Sequence, residues 1–258
     1  MSDSHAHCSS TDNSSACTKI SPTSGHRPAA IAPSALPHRF HNRIGVGLAG
    51  GFYPAPHRYQ LFLTENCPSS LRVSISVDLL GLNDSLTTTV LAPRPAGTPE
   101  AFAALRRAYE ATAYHYDGPL TAPALCDRWT GRVVSNQVCD ILRDLAGLRF
   151  GDDGVCPAAL RPPARAADVD ALRDLLDREV TRDAEGPGRA AALDLLENRL
   201  AGQPYALGDE LTAADVDLWV ALVHLGPAGA LGSHHRLRDY VRRLGDHHPA
   251  FRTRADAA

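Results

Sequence analysis

The chain has 258 residues, 44% of them hydrophobic, enough for one or two globular domains with a real core. Its 26 Lys plus Arg against 29 Asp plus Glu give a formal net charge of −3, which leaves no electrostatic footprint for nucleic acid or an anionic membrane surface. No apolar run reaches transmembrane length and no signal-peptide core follows Met1, so a cytoplasmic protein with no membrane partner is expected.

The six cysteines, Cys8, Cys17, Cys67, Cys126, Cys139 and Cys156, are scattered without a CxxC pair. In a chain without a secretory signal they read as reduced thiols. Lys19 is the only lysine. That bias, with abundant Arg, Ala and Asp, looks like the coding habit of a GC-rich bacterium. Residues 1–37 are rich in Ser, His, Pro, Thr and Ala without hydrophobic periodicity, so they read as a disordered tail. His5, His7 and Cys8 are metal-ligand types, but a solvated tail fixes no coordination geometry for them. FHNRIGVGLAGGF, from Phe40 to Phe52, is glycine-rich. It lacks the preceding strand and following helix of a phosphate loop.

Tyr59, Leu61 and Leu63, alternating with Gln60 and Phe62, predict a strand. Asn66-Cys67-Pro68 follows, and then Leu71, Ile75, Leu79 and Leu82 at helical spacing. Pro68 suits the first turn of a helix, where its missing N–H costs nothing. Cys67 is thereby placed at a helix mouth, where exposed amides and the positive end of the dipole stabilise a thiolate. A lone cysteine is ordinarily a buried core residue; strand, Cys-Pro and helix together favour thiol chemistry. Gly81 to Asp84 turns the chain into a β-branched strand, Leu86 to Leu91. Residues 99–116 then read as a helix with Phe102, Leu105 and Tyr109 on one face. Leu120 to Cys126 reads as a strand interrupted by Pro123, and a cis peptide facing a ligand is one way to accommodate that proline. Trp129 to Gly131 turns into Val133-Val134. Ser135 or Asn136 is expected to cap a helix carrying Val138, Ile141, Leu142 and Leu145.

The Gly/Pro-rich stretch 147–164 is the best boundary, dividing residues 38–150 from an all-helical part, 151–258. There Val169, Leu172, Leu175, Leu176 and Val180 form one stripe. Ala192, Leu193, Leu195, Leu196 and Leu200 form another. Thr212 and Asp215 form a capping box, which accounts for Asp215 without catalysis. A last helix is expected over Leu237 to Leu244, with Pro249 after it. Cys126 and Cys139 read as core. His234-His235 and His247-His248 read as surface residues, because neighbours on a helix point about 100° apart.

Four blocks carry a resemblance. They are GGF with RYQLFLTENCP, LRRAYEATAYHYDGPLTAPAL, TGRVVSNQVCDILRDL and YALGDELTAADVDLWVALV. In order and spacing, over about residues 40–225, they resemble the glutathione S-transferase superfamily and, within it, the glutathionyl-hydroquinone reductases of the xi class. The resemblance implies an α/β thioredoxin-like domain followed by an all-α bundle, and a homodimer. It makes Cys67 the catalytic cysteine and Pro123 a cis-proline, and sets Pro68, the Ala122 backbone and Pro123 against the bound thiol. Asn136, Gln137 and Val138 stand where that family binds the thiol. Tyr116, His234 and His235 stand near substrate-facing positions. In that family the cysteine attacks the sulfur of a glutathionyl-hydroquinone and a second thiol resolves the mixed disulfide. This requires an open approach to the cysteine's sulfur.

The departures matter as much. CPWAH of relatives is Cys67-Pro68-Ser69-Ser70-Leu71 here, the Gly-Trp motif after the second strand is absent, and Pro119 follows Gly118 where a basic residue is common. The Glu-Ser pair that holds the γ-glutamyl group is Gln137-Val138. Each charge-assisted bond lost is worth about 1.5–3 kcal/mol, so two or three losses weaken glutathione binding by orders of magnitude. The expected protein is therefore a Cys67-dependent thiol transferase or reductase without a metal. Its low-molecular-weight thiol would be mycothiol or ergothioneine, the thiols of actinobacteria, rather than glutathione. The alternatives are S-conjugation of a bound thiol, and a non-catalytic binding protein on the same scaffold.

Overall fold

The computed structural model describes residues 39–45, 51–92, 99–148, 159–181, 186–225 and 231–255. The tail with His5, His7 and Cys8, Cys17, Cys156 and segment 226–230 lie outside them. The described residues fall into two compact units, one ending at Ala158 and one beginning at Ala159. No helix among them is long and apolar enough to cross a membrane.

The first unit runs β1 (Tyr59–Thr64), α1 (Pro68–Leu79), β2 (Thr87–Leu91), α2 (Pro99–Thr112), β3 (Ala124–Asp127), β4 (Arg132–Ser135) and α3 (Val138–Gly147). The sheet order is β2-β1-β3-β4. β1 and β2 are parallel, while β3 is antiparallel to both β1 and β4. This is the thioredoxin-like half that the resemblance implies. β1 is central, so Leu61, Phe62 and Leu63 are all buried, and strict alternation is lost. β2 is an edge strand with exposed threonines; the Gln60 amide donates to Thr89 Oγ1 at 2.9 Å across the pair.

α1 differs from its expected stripe. Val73, Ile75 and Val77 are buried together with Ser70, Ser74 and Ser76, while Leu71 and Leu79 are only half-buried. Small serines let this helix be covered on nearly every side. The helix ends at Leu79, and Leu82 is buried from the following turn, which Gly81 opens at φ +64°. α2 stops at Thr112, short of Tyr116, with His115 at φ +53° beyond it.

The second unit is all-helical: a 3-10 turn (Pro163–Arg165), α4 (Ala166–Glu179), α5 (Pro187–Arg199), α6 (Ala213–His224), α7 (His235–His247) and α8 (Pro249–Ala255). α6 is its centre, with Ala213 through Leu222 buried without a break. The capping box forms as expected, with the Thr212 N–H donating to the Asp215 carboxylate at 2.8 Å. Asp215 also accepts from the Ala206 N–H at 2.7 Å and the Tyr240 hydroxyl at 2.6 Å. Arg173 of α4 puts Nε and Nη2 on Asp217 of α6, each at 2.9 Å, both residues buried. Leu195 corrects the α5 stripe. It is 48% exposed, because it lies about 200° around the helix from Leu193, which faces the core.

Candidate active site

Strand directions gather the sequence candidates of the first unit at one end of the sheet. Thr64, the last residue of β1, pairs with Leu91, the last of β2. Phe62 of β1 pairs with Ala124, the first of β3. Ser135, the last of β4, pairs with Leu125 of β3. The loop to Cys67, the Ala122-Pro123 turn and the start of α3 therefore all lie beyond the carboxyl ends of the parallel strands, where open α/β sheets bind ligands.

Cys67 is the N-cap residue of α1, with extended backbone at φ −104° and ψ 119°, and Pro68 occupies the first turn. Its carbonyl accepts the Leu71 N–H at 2.9 Å, the first bond of the helix. Two features fix the loop before it. Asn66 takes the left-handed φ of +54°, which Asn tolerates better than most residues. Ser70 reaches back from the third helical position, its Oγ accepting the Thr64 N–H at 3.0 Å. Cys67 forms no disulfide and is only 2% exposed. The side chain is thus covered rather than openly approachable.

The Ala122-Pro123 peptide is cis, and Ala122 is fully buried. Among the described residues its backbone N–H and C=O have no hydrogen-bond partner. Those are the groups that the resemblance sets against a bound thiol. Gln137, rather than Ser135 or Asn136, is the N-cap of α3. The Ser135 hydroxyl instead accepts the Gln137 N–H at 3.0 Å, and the Asn136 side chain is used by neighbouring segments. The Gln137 amide donates to Asn136 Oδ1 at 2.7 Å, and Val138 opens the helix half-buried. This helix start offers a neutral amide and an isopropyl group.

Tyr116 belongs to the core. Its hydroxyl donates to the Pro119 carbonyl at 2.6 Å, its ring lies 5.0 Å from that of Tyr109, and burial pushes its phenol up to about 12. Gly118 is required beneath it, since a Cβ there would stand 2.7 Å from the Tyr116 hydroxyl oxygen. His234 and His235 belong to the helical unit. His234 is the N-cap residue of α7, with Nδ1 2.8 Å from the Leu231 carbonyl and Nε2 2.9 Å from Asp194. Burial works against its charge, but the carboxylate and carbonyl outweigh it and raise its pKa. His235 is largely exposed, 3.4 Å from Glu197. Cys126 is a core thiol, pushed by burial up to about 12 and inert. Tyr109 and Thr121 are the site-forming residues that the sequence reading did not single out; periodicity placed Tyr109 on an apolar face, and nothing local announces its hydroxyl. Among the described residues no cluster of His, Cys, Asp or Glu could hold a metal.

Comparison with known proteins agrees with this architecture. Residues 187–243 match the glutathione S-transferase C-terminal domain family. Glutathionyl-hydroquinone reductase YqjG of Escherichia coli strain K12 is 26% identical over 234 residues, covering 76% of this chain and 69% of that protein. Glutathionyl-hydroquinone reductase PcpF of Sphingobium chlorophenolicum is 27% identical over 229 residues, covering 78% and 72%. The crystal structure of the xi glutathione S-transferase from Phanerochaete chrysosporium superposes with a TM-score of 0.66 at 27% identity, over 89% of this chain and 84% of that one. With a thioredoxin-like unit followed by a helical unit that matches this domain family, the chain is a thiol transferase or oxidoreductase similar to the glutathione S-transferase superfamily and, within it, to the xi-class glutathionyl-hydroquinone reductases.

Proposed function

We propose that the protein is a Cys67-dependent thiol transferase or reductase acting on a small electrophilic or S-thiolated substrate, with mycothiol or ergothioneine in place of glutathione. The observation that carries the reading is Cys67 at the N-cap of α1, on the same end of the sheet as cis-Pro123. With an S-thiolated hydroquinone, the Cys67 thiolate attacks the sulfur of the aryl thioether. A Cys67–S–S–R bond forms, the carbon–sulfur bond breaks, and the aromatic carbon takes up a proton. A second thiol then attacks the mixed disulfide, restoring Cys67 and leaving as R–S–S–R′. The substrate carbon is reduced and two thiol equivalents are oxidised to a disulfide, so the electrons balance.

Replacement of glutathione rests on the start of α3. Gln137 and Val138 present no carboxylate to a γ-glutamyl ammonium, and the Gln137 amide is already bonded to Asn136. The 2% exposure of Cys67 favours a second reading, in which a bound thiol attacks the substrate itself and Cys67 orients it. One experiment separates them. The protein is incubated with mycothiol, ergothioneine and glutathione disulfides and weighed intact, and turnover is followed in parallel. The expected result is a mixed disulfide on Cys67 with one of the first two thiols. Cys67→Ser should lose the adduct, with turnover falling by about 100-fold or more. Full turnover in Cys67→Ser would sink the nucleophile reading and leave conjugation standing. An adduct with glutathione alone would overturn the choice of thiol.

A further inference from the structure

One buried hydrogen-bond knot joins four segments at the end of the sheet that carries Cys67. Tyr109 comes from α2, Thr121 from the turn before cis-Pro123, Asn136 from the junction of β4 and α3, and Phe40 from the segment before β1. Asn136 Oδ1 accepts the Phe40 N–H at 2.9 Å and the Gln137 side-chain amide at 2.7 Å. Asn136 Nδ2 donates to the Tyr109 hydroxyl at 3.2 Å and to Thr121 Oγ1 at 3.1 Å. Both lone pairs and both protons of the amide are thereby used. The backbone N–H at Oδ1 also fixes which way the amide faces. The Tyr109 hydroxyl lies 2.9 Å from the Thr121 carbonyl and 2.7 Å from Thr121 Oγ1, and the Thr121 N–H donates back to it at 3.3 Å. All three side chains are buried. Burial raises the Tyr109 pKa, so the hydroxyl keeps its proton.

Thr121 is held through its N–H, its carbonyl and its hydroxyl. Ala122, the next residue, has backbone groups with no partner among the described residues. A residue bonded at every polar atom beside one bonded at none describes an anchor and the part it aims. We propose that Tyr109, Thr121 and Asn136 are positioning residues for thiol binding: they hold the Ala122-Pro123 turn against the start of α3, so that the Ala122 N–H and C=O face the ligand already ordered. The inference rests on the thiol-site reading above. Because the knot grips the β3 side of the site and not α1, it governs how the thiol binds and leaves the reactivity of Cys67 itself unaltered.

The test uses the full chain, with 2-hydroxyethyl disulfide fixed and mycothiol, ergothioneine and then glutathione varied. Tyr109→Phe keeps the ring and Thr121→Val keeps the shape and the backbone bonds. Each should raise the KM for the thiol by about tenfold, the loss of roughly one hydrogen bond's worth of aim, with kcat changed far less. The rate of Cys67 alkylation by iodoacetamide should stay at the wild-type value. Thr121→Ser, which restores a hydroxyl at the same atom, should bring the KM back. A KM unchanged in both variants overturns the proposal, as does a fall in KM, kcat and alkylation together with the thermal midpoint. If Tyr109→Phe fails to fold, the Thr121 pair decides alone. A wild-type protein that turns over none of mycothiol, ergothioneine and glutathione fails the underlying reading, and that outcome is visible before any variant is made.

Discussion

Asp127 anchors the opposite end of the sheet. Its carboxylate accepts Nε and Nη2 of Arg58, each at 2.9 Å, together with the Trp129 N–H at 3.1 Å and the Thr130 hydroxyl at 2.9 Å. The Arg58 guanidinium is covered by aromatic faces, 4.1 Å from the Tyr53 ring centre and 4.8 Å from that of Trp129. Burial disfavours the Asp127 charge, but the bonds from Arg58, Thr130 and Trp129 outweigh it, and its pKa is lowered. A lowered carboxylate contributes stability above its ordinary value, about 3.9, and loses it as the pH falls through the folded one. Asp127→Asn leaves the guanidinium buried without its counter-charge and should cost about 3–5 kcal/mol, read from the urea midpoint at neutral pH. The difference between wild type and variant should narrow below pH of about 4. Nothing in the sequence announces this pair. The two residues stand 69 apart, and only the pairing of β1 with β3 brings them together. The Asn136 knot is hidden for the same reason. Its members read one by one as an apolar-face tyrosine, a strand threonine, and an asparagine that caps a helix or meets the thiol. Cys67, by contrast, was legible, because the capping geometry of a Cys-Pro helix start is local.

Helices were read from periodicity, and their ends were lost where a distant residue decides them. α7 was expected over Leu237 to Leu244 and runs from His235 to His247. Its first amides are satisfied from another helix: Glu197 of α5 accepts the Arg236 and Leu237 N–H groups, each at 3.0 Å. No local capping residue signals that start. Pro249 follows α7, as the sequence suggests. It also begins α8, whose Phe251 packs edge-on against Trp219 at 5.2 Å. Burial pushes the Glu197 pKa up, but the two amides and the nearby His235 and Arg236 outweigh it, and the net shift is down. Glu197→Gln replaces one accepting oxygen with a donor facing an N–H, at a cost of about 1.5–3 kcal/mol at neutral pH. Because the charged form carries the cap, that cost should be full above pH of about 4.3 and shrink as the pH falls below it. Asp215 carries the opposite sign: burial, its largest influence, raises its pKa despite four accepted bonds. Its penalty is relieved on acidification. Urea midpoints at pH 7 and 3.5 for wild type and Glu197→Gln test the sign at Glu197, and a cost independent of pH would show that the cap does not depend on the charge.

The division into a thioredoxin-like unit and a helical unit was legible because periodicity changes from mixed strand and helix to helix alone. The chain also distributes its two tryptophans between the units. Trp129 sits in the β3–β4 turn and is 60% exposed, so unfolding changes its surroundings little. Trp219 lies at the centre of α6, fully buried, with its indole N–H on the Val241 carbonyl at 3.2 Å. The red shift of fluorescence on unfolding should therefore come almost entirely from the helical unit. Trp129→Phe should leave its amplitude nearly intact, and Trp219→Phe should remove most of it. Far-UV circular dichroism reports both units. In Trp129→Phe, coincident fluorescence and dichroism midpoints in urea mean that the units unfold together; separated midpoints mean that a single unfolding free energy does not describe the chain. A thiol at 100 times its Kd stabilises whatever unfolds with its site by about 2.7 kcal/mol. In the coincident case a thiol bound beside Cys67 must move the Trp219 transition. In the separated case it must move the dichroism transition alone.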